Sequence, residues 1–377
     1  MPFALVTGGA GFIGSHTVDH LLARGYDVRV IDSLQPRVHP HGKPSYVPSD
    51  VDFRQGDVSN RDDMRAALAG IDCVFHLAAY QDYLTDFSTF VRTNVESTAL
   101  LFELIVERRL PIEKMVFASS QSVAGEGRYQ CEEHGTVLPG PRPVHQLECG
   151  DWEVKCPTCA RPMEPLLIPE PVAMPHTTYA ISKLAIELLA DRLGRRYGIP
   201  TVCMRYTYVQ GARNSFYNAY SGICRIFAQR ILNGLPPICY EDGLQQRDYV
   251  NVVDVARANV LAMESSAADF KVFNVGGGRA VRVIEFADLM LESLGSSLSP
   301  LVPGEFRLGD TRHTVSDISS LCALGWQPTV PVEQNIREYV EWMKPQLDKT
   351  LSPAEAERVM REQGVLRYAT VAPGSQR

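Results

Sequence analysis

A strand, a glycine-rich turn, a helix, a second strand and an acid follow one another at the start of this chain. That order limits its fold more than any other feature. The apolar run 3–6 feeds into Thr7-Gly8-Gly9-Ala10-Gly11-Phe12-Ile13-Gly14-Ser15; an amphipathic stretch covers residues 13–24, and a second apolar run, 28–31, ends at Asp32. Gly8 permits a tight turn, Gly11 lets backbone N–H groups approach a pyrophosphate, and Gly14 lets the helix pack close to the strand. The helix N-terminus favours the phosphate charge. Asp32 stands where an acid would hydrogen-bond an adenosine ribose, so the pattern points to a bound dinucleotide, NAD in preference to NADP.

The 377 residues suffice for one large domain or two moderate ones. With 37 basic and 44 acidic side chains there is no basic field that would attract nucleic acid. No apolar run is long enough to span a bilayer, and the opening residues lack the basic leader and cleavage site of a signal peptide. Of nine cysteines, Cys73, Cys203, Cys224 and Cys239 fall in apolar strands and helices, as buried thiols of a reducing compartment do. The expected location is the cytoplasm.

Strand patterns at 3–7, 28–32, 51–54, 73–78 and 114–119 alternate with helical ones, including 61–69 and a long stretch at 88–108. A helix over 179–197 leads into a strand at 201–206. Such alternation predicts a doubly wound α/β fold, a parallel sheet with helices on both faces. Beyond residue 211 the pattern loosens, as expected of a smaller substrate lobe at the carboxyl edge of the sheet. The expected division is 1–206 for the dinucleotide domain, 207–345 for an interleaved lobe, and 346–377 for a polar tail with at most one short helix. Residues 125–175 break the rhythm, with nine prolines, four cysteines and no clear period. A loop that long needs something other than an apolar core to organise it.

Tyr179-Ala180-Ile181-Ser182-Lys183 places a phenol and an ammonium one turn apart on the predicted helix, with Thr177 or Thr178 as N-cap. A nearby cation favours phenolate and prepares the tyrosine as a general base. Alone the spacing is weak, since such pairs usually decorate an exposed face. Ser119-Ser120-Gln121-Ser122 at the end of one strand, His76-Leu77-Ala78-Ala79 at the end of another, and Asn94 bring further polar and small residues to the same sheet edge.

Taken together, these motifs resemble the extended short-chain dehydrogenase/reductases that modify nucleotide-linked sugars. The likeness rests on the TGGAGFIGS loop, Asp32, Gly56-Asp57-Val58, HLAA, the Asn94 turn, Ser119-Ser120, YAISK, Arg205-Tyr206, the run 246–256, Phe273-Asn274-Val275-Gly276 and the run 307–313, and so spans about residues 1–345. It is strongest to dTDP-L-rhamnose 4-epimerase-like and UDP-glucose 4-epimerase-like enzymes. The resemblance implies a Rossmann-type sheet and bound NAD, with Gly8, Gly11, Phe12, Ile13, Gly14, Asp32, Asp57, Val58, Leu77, Ala78, Ala79, Asn94 and Tyr206 beside it. It implies Tyr179 as base, Lys183 on the nicotinamide ribose, and Ser120 on the reacting oxygen. Arg247 and Arg307 would clamp the diphosphate, a task suited to a planar, permanently charged guanidinium. Gln81, Gln121, Ser122, Tyr208, Asn218, Tyr220 and Asp310 would complete the substrate pocket. Paired helices in such relatives imply a homodimer.

The resemblance leaves 4-epimerase, 4,6-dehydratase, decarboxylase and reductase open. Dehydratases of the group carry an Asp–Glu pair where Gln121 and Ser122 stand, and decarboxylases usually a glutamate at the place of Ser122. Neither residue here can do acid–base work near neutral pH, so a C4 epimerase is the leading expectation. A reductase fed by external NAD(P)H and a non-catalytic NAD-binding scaffold remain as alternatives. Tyr208 stands in place of a usual asparagine, and Tyr80-Gln81-Asp82-Tyr83 is bulkier than usual, so the sugar pocket is expected to be reshaped.

Cys131-Glu132-Glu133-His134 and Cys156-Pro157-Thr158-Cys159 are two short-spaced ligand pairs inside the irregular segment. They can supply the tetrahedral N/S set of a structural zinc ribbon, with Cys149 and His145 as rival ligands. The related enzymes resemble this with a four-cysteine ribbon, His134 replacing one cysteine. Zinc would order a loop that has little core of its own.

Overall fold

The computed structural model describes residues 1–82, 85–215, 222–346 and 353–369. Its centre is a seven-stranded parallel sheet: β1 (Phe3–Thr7), β2 (Asp27–Asp32), β3 (Asp52–Gln55), β4 (Cys73–His76), β5 (Lys114–Ser120), β6 (Thr201–Tyr206) and β7 (Lys271–Val275). The spatial order is β3-β2-β1-β4-β5-β6-β7. β1, β4 and β6 are buried on both faces, which explains continuous apolar runs where an open sheet would alternate. The helices α1 (Phe12–Ala23), α2 (Arg61–Ala67), α3 (Ser97–Glu107), α4 (Thr178–Tyr197) and α5 (Val252–Glu264) accompany these strands. One apolar layer joins Val6, Leu21 and Val255, and another joins Leu5, Leu101 and Ile186. The sheet order turns back between β1 and β4, so their carboxyl ends open a crevice of the kind that binds ligands in such folds.

The chain re-enters the large sheet at β7, beside β6. Two features depart from expectation. The predicted long helix is interrupted: after Phe87–Phe90 it winds as a π-helix over Val91–Glu96 before α3. Segment 125–175 is a small antiparallel sheet, with Arg128–Cys131 between Gly135–Val137 and Glu164–Leu166, plus a short helix at Val144–Glu148.

The second lobe holds strands Tyr208–Gln210, Gln246–Asn251, Ala280–Arg282 and His313–Thr314. Helices Ile223–Leu232, Val283–Ser293 and Val332–Met343 pack over them around Phe227, Phe286 and Tyr339. The stretch read as a polar tail is also built in. Helix Pro353–Glu362 leads to strand Leu366–Tyr368, which pairs antiparallel with Glu305–Arg307. No described helix is long and apolar enough to cross a membrane.

Candidate active site

The glycine turn brings two backbones into close contact. Gly8 has φ +69°, and a Cβ on it would lie 2.8 Å from the Cα of Ala78, after β4. A Cβ on Gly14 would meet the Gly8 carbonyl oxygen at 2.1 Å, so α1 begins directly against the turn. A Cβ on Gly11 would touch only that oxygen, at 3.1 Å. No side chain caps α1 and its first turn carries no acid, leaving the positive end of the helix to an anion. The Asp32 carboxylate accepts from the backbone N–H groups of Ala10 and Leu34 at 3.0 and 2.9 Å, tying the turn to the end of β2 and retaining further acceptor capacity.

Thr7 closes the crevice floor. Its hydroxyl accepts from Leu77 N and Ala78 N, both at 3.1 Å, and meets His76 Nδ1 at 3.0 Å, while His76 Nε2 reaches Ser97 at 3.1 Å. Burial pushes the His76 ring down to about 3, so it stays neutral. Ala79 is exposed at the rim. Asp57 is exposed and caps Ser59, whereas Val58 is buried beneath it. Asn94 sits fully buried in the π turn, accepting from Tyr80 N at 2.7 Å and donating to Tyr80 O and Ser182 Oγ, both at 3.0 Å. It therefore fixes the loop after Ala79 to α4. The Tyr206 hydroxyl donates to Asn259 at 2.8 Å.

Thr177 caps α4 by accepting from Ala180 N at 3.2 Å, which sets the first turn of the helix and with it Tyr179. Tyr179 and Ser120 both line a cleft of about 840 Å³ between sheet edge and lobe. One turn on, Lys183 is buried; its ammonium donates to Ala118 O at 2.8 Å and lies 5.7 Å from the centre of the Tyr179 ring. Burial lowers that ammonium to about 8. Ser120 accepts from Ser122 N at 3.2 Å. Behind this group, Glu187 takes Arg205 bidentately at 2.7 Å and also accepts from Ser119. Arg205 in turn donates to the carbonyls of Glu170 and Val172 at 2.8 Å. This buried pair locks α4, the end of β5 and the exit of the insert together. In the sequence Arg205 stands out only as part of a motif, Arg205-Tyr206.

The outer half of the cleft is lined by Gln81, Gln121, Ser122, Tyr208, Arg247, Arg307 and Asp310. Gln121 is 5% exposed and both its amide atoms lack a protein partner, a costly state unless a ligand satisfies it. Arg247 packs over the Tyr208 ring at 5.2 Å and donates to the carbonyls of Thr311 and Arg312 at 2.8 and 2.9 Å. Arg307 pairs with Asp310 at 2.8 Å. Asn218 and Tyr220 lie outside the described residues. Val365 and Arg367, from the folded tail, also line the cleft; their polar surroundings gave no pattern to read.

In the insert, the donor atoms of Cys131, His134, Cys156 and Cys159 all lie within 4.8 Å of one another. Cys131 Sγ is 3.7 Å from Cys159 Sγ and 3.5 Å from His134 Nδ1, and Cys156 Sγ is 3.6 Å from the same nitrogen. A tetrahedron of three sulfurs and one nitrogen with zinc–ligand bonds of about 2.0–2.3 Å has edges of about 3.5–3.8 Å, the range in which these three separations fall. A disulfide would need about 2.0 Å. Cys149 is exposed and is not among the four.

The model of the NAD-dependent epimerase/dehydratase family matches residues 4–146 and 156–276. The dTDP-L-rhamnose 4-epimerase of Burkholderia thailandensis is 32% identical over 92% of this chain and 96% of its own length. Among solved structures, the Thermotoga maritima UDP-glucose 4-epimerase, determined with UDP-glucose, has a TM-score of 0.74 at 30% identity, covering 92% of this chain and all of that one. The Thermus thermophilus UDP-glucose 4-epimerase, determined with NAD, has a TM-score of 0.69 at 30% identity over the same shares. Sequence, fold and site geometry agree: the chain belongs to the NAD-dependent epimerase/dehydratase family.

Proposed function

We propose that this protein inverts C4 of a nucleotide-diphosphate sugar, using tightly held NAD that is regenerated in each turnover. The observation that carries the reading is that Ser120 and Tyr179 line one wall of the cleft with Phe12 and Ile13 of the glycine turn, with Lys183 buried one helical turn behind Tyr179. The relatives reported above are 4-epimerases. The cradle around Gly8, Gly11 and Gly14 suits a dinucleotide, because any Cβ on Gly8 or Gly14 would strike backbone. Bound NAD would supply a hydride acceptor, and then donor, at the sugar carbon. Tyr179 removes the proton from the C4 hydroxyl and later returns it, assisted by the Lys183 ammonium. Ser120 orients the reacting oxygen. Arg247 and Arg307 hold the diphosphate while the 4-keto ring turns in the cleft.

Gln121 and Ser122 supply no acid or base for removal of water or CO₂, which favours epimerase over dehydratase and decarboxylase. Gln121 recognises a sugar substituent that can both donate and accept a hydrogen bond. Zinc at Cys131, His134, Cys156 and Cys159 would cross-link the insert and take no part in the chemistry. Phe87, Val91, Ile181 and Leu188, on the helical segments around α3 and α4, are all more than half exposed, an apolar surface suited to a homodimer. Light scattering tests that assembly. A cytoplasmic location is consistent with the free thiols.

The test is to incubate the purified protein, without added cofactor, with dTDP-, UDP-, GDP- and CDP-sugars in D₂O and follow products by proton NMR. An isomer inverted at C4 without deuterium supports the reading. Loss of water or CO₂, or deuterium at C3 or C5, overturns it in favour of a dehydratase or decarboxylase. Turnover only after addition of NAD(P)H puts the reductase first. Tyr179→Phe should lower kcat by about 10²–10⁴-fold with dinucleotide still bound. Near-normal turnover would remove Tyr179 as the base.

A further inference from the structure

We infer that the cysteine-bearing insert is a positioning device for the diphosphate end of the cleft, acting through Arg142, Glu153 and Arg312. The inference rests on reading Arg247 as a diphosphate ligand.

Arg247 is aimed by carbonyls. Two of the three it donates to belong to Thr311 and Arg312. Where segment 311–313 sits therefore decides where this guanidinium points. That segment is held by the insert, by the loop before Gln246–Asn251, and by the pairing of His313 and Thr314 with Gln246 and Arg247 of that strand. Arg312, with 0% exposure, takes Glu153 at 2.6 Å, Asp242 at 2.6 and 2.7 Å, and Glu241 at 3.0 Å, and its backbone N–H donates to Glu126 at 2.6 Å. The neighbouring His313 N–H donates to the Tyr129 hydroxyl at 3.3 Å, and His313 Nε2 meets Glu153 at 3.3 Å. Arg142 closes the circuit. It grips Glu241 bidentately at 2.8 and 3.0 Å and donates to the carbonyl of Asp310, the residue that pairs with Arg307, at 3.0 Å.

Glu126, Tyr129, Arg142 and Glu153 are all insert residues, and the insert's core is divided into small pieces. Around the four donors it is Tyr129, Cys131, Val154, Cys156 and Met163; Ile168 with Val172, and Leu147 with Trp152, pack in two separate clusters. Tyr129 lies two residues before Cys131, and Glu153 three before Cys156. The four donors thus stand directly behind the side chains that hold Arg312 and His313. Buried arginines with several carboxylates keep their geometry only while every partner stays in place. Loosening the insert around its four donors would release both Arg312 and the carbonyls that aim Arg247, while the glycine turn, and Lys183 held by the Ala118 carbonyl, would stay as they are.

The experiment compares full-length wild type with Glu153→Gln, Arg142→Met and Arg247→Met, and with wild type stripped by a strong chelator and then resupplied with zinc. Three quantities are read: Kd for UDP and for dTDP by calorimetry, bound dinucleotide from the absorbance spectrum, and kcat separately from KM on the substrate found above. Glu153→Gln keeps the shape of the side chain and, through its amide oxygen, the bond from Arg312. It loses the bond from His313 Nε2, whose ring already accepts from Gln246 N at Nδ1. The unchanged shape guards against a variant that fails to fold. The expected result is a rise of about tenfold in nucleotide Kd and KM for Glu153→Gln, Arg142→Met and the stripped protein. Bound dinucleotide should stay unchanged and kcat within about twofold, with Kd restored by zinc. Unchanged nucleotide Kd in folded Glu153→Gln and Arg142→Met, beside a weakened Arg247→Met, overturns the inference alone. No effect of Arg247→Met overturns the reading beneath it. Equal loss of dinucleotide and nucleotide binding would make the insert a general fold support and also overturn the inference.

Discussion

The two walls of the cleft are built by different physics. On the cofactor side, short apolar strands and backbone-to-backbone contacts do the work: Gly8 against Ala78, and Gly14 against Gly8. On the substrate side, long charged side chains from distant segments do it: Arg142, Glu153, Glu241 and Arg312. A wall made from short runs that each carry their own period can be read run by run. A wall made from side chains far apart in sequence exists only once the whole chain has folded.

The comparison can be broken in several ways. The largest effect is expected at the glycine turn. Gly14→Ala forces a Cβ onto the Gly8 oxygen, so bound dinucleotide should be lost, with about 1–3 kcal/mol of stability; absorbance and thermal melting check both. If Gly14→Ala retains dinucleotide, the cofactor wall is not held by close backbone contact. Cys156→Ser should remove zinc and open the insert to protease while the dinucleotide stays bound. Limited proteolysis with mass spectrometry reads this, and unaltered resistance would mean that the donors are not a structural cross-link. Gln121→Ala should change the ranking of sugar substrates by about 3–30-fold in kcat/KM. An unchanged ranking would show that the amide does not meet the sugar.

The smallest effect concerns Glu126, whose burial raises its carboxyl to about 7 from an ordinary 4.5. The folded state then keeps a proton that the unfolded chain has already lost. The contribution of Glu126 to stability is fully present below 4.5 and is lost as pH rises through about 7. Glu126→Gln should therefore flatten the fall in stability across that window, as denaturation series at several pH values would reveal.

Much of the cofactor wall was legible for this reason. The first five strands, α1 and the cap at Thr177 follow from periodicity and turn chemistry within short windows. β7 was read only as the motif Phe273-Asn274-Val275-Gly276, because its place in the sheet comes from pairing with β6, far earlier in the chain. The π turn was missed because Asn94 shapes it through Tyr80 and Ser182, on either side in sequence. Arg205 and Arg312 were visible as residues of motifs. Their burial among carboxylates was not, because a sequence does not announce which acids will close around an arginine. In the insert, two short-spaced pairs could be read, but only the fold shows that His134, and not Cys149, stands with the other three side chains.

The pairing of Leu366–Tyr368 with Glu305–Arg307 has a consequence for the order of synthesis. The large sheet is complete once β7 has left the ribosome, so a nascent chain can assemble its dinucleotide crevice early. The strand that carries Arg307 must wait for its partner until some of the last described residues emerge. During translation all seven strands of the large sheet are therefore available while the strand that carries Arg307 still lacks its partner.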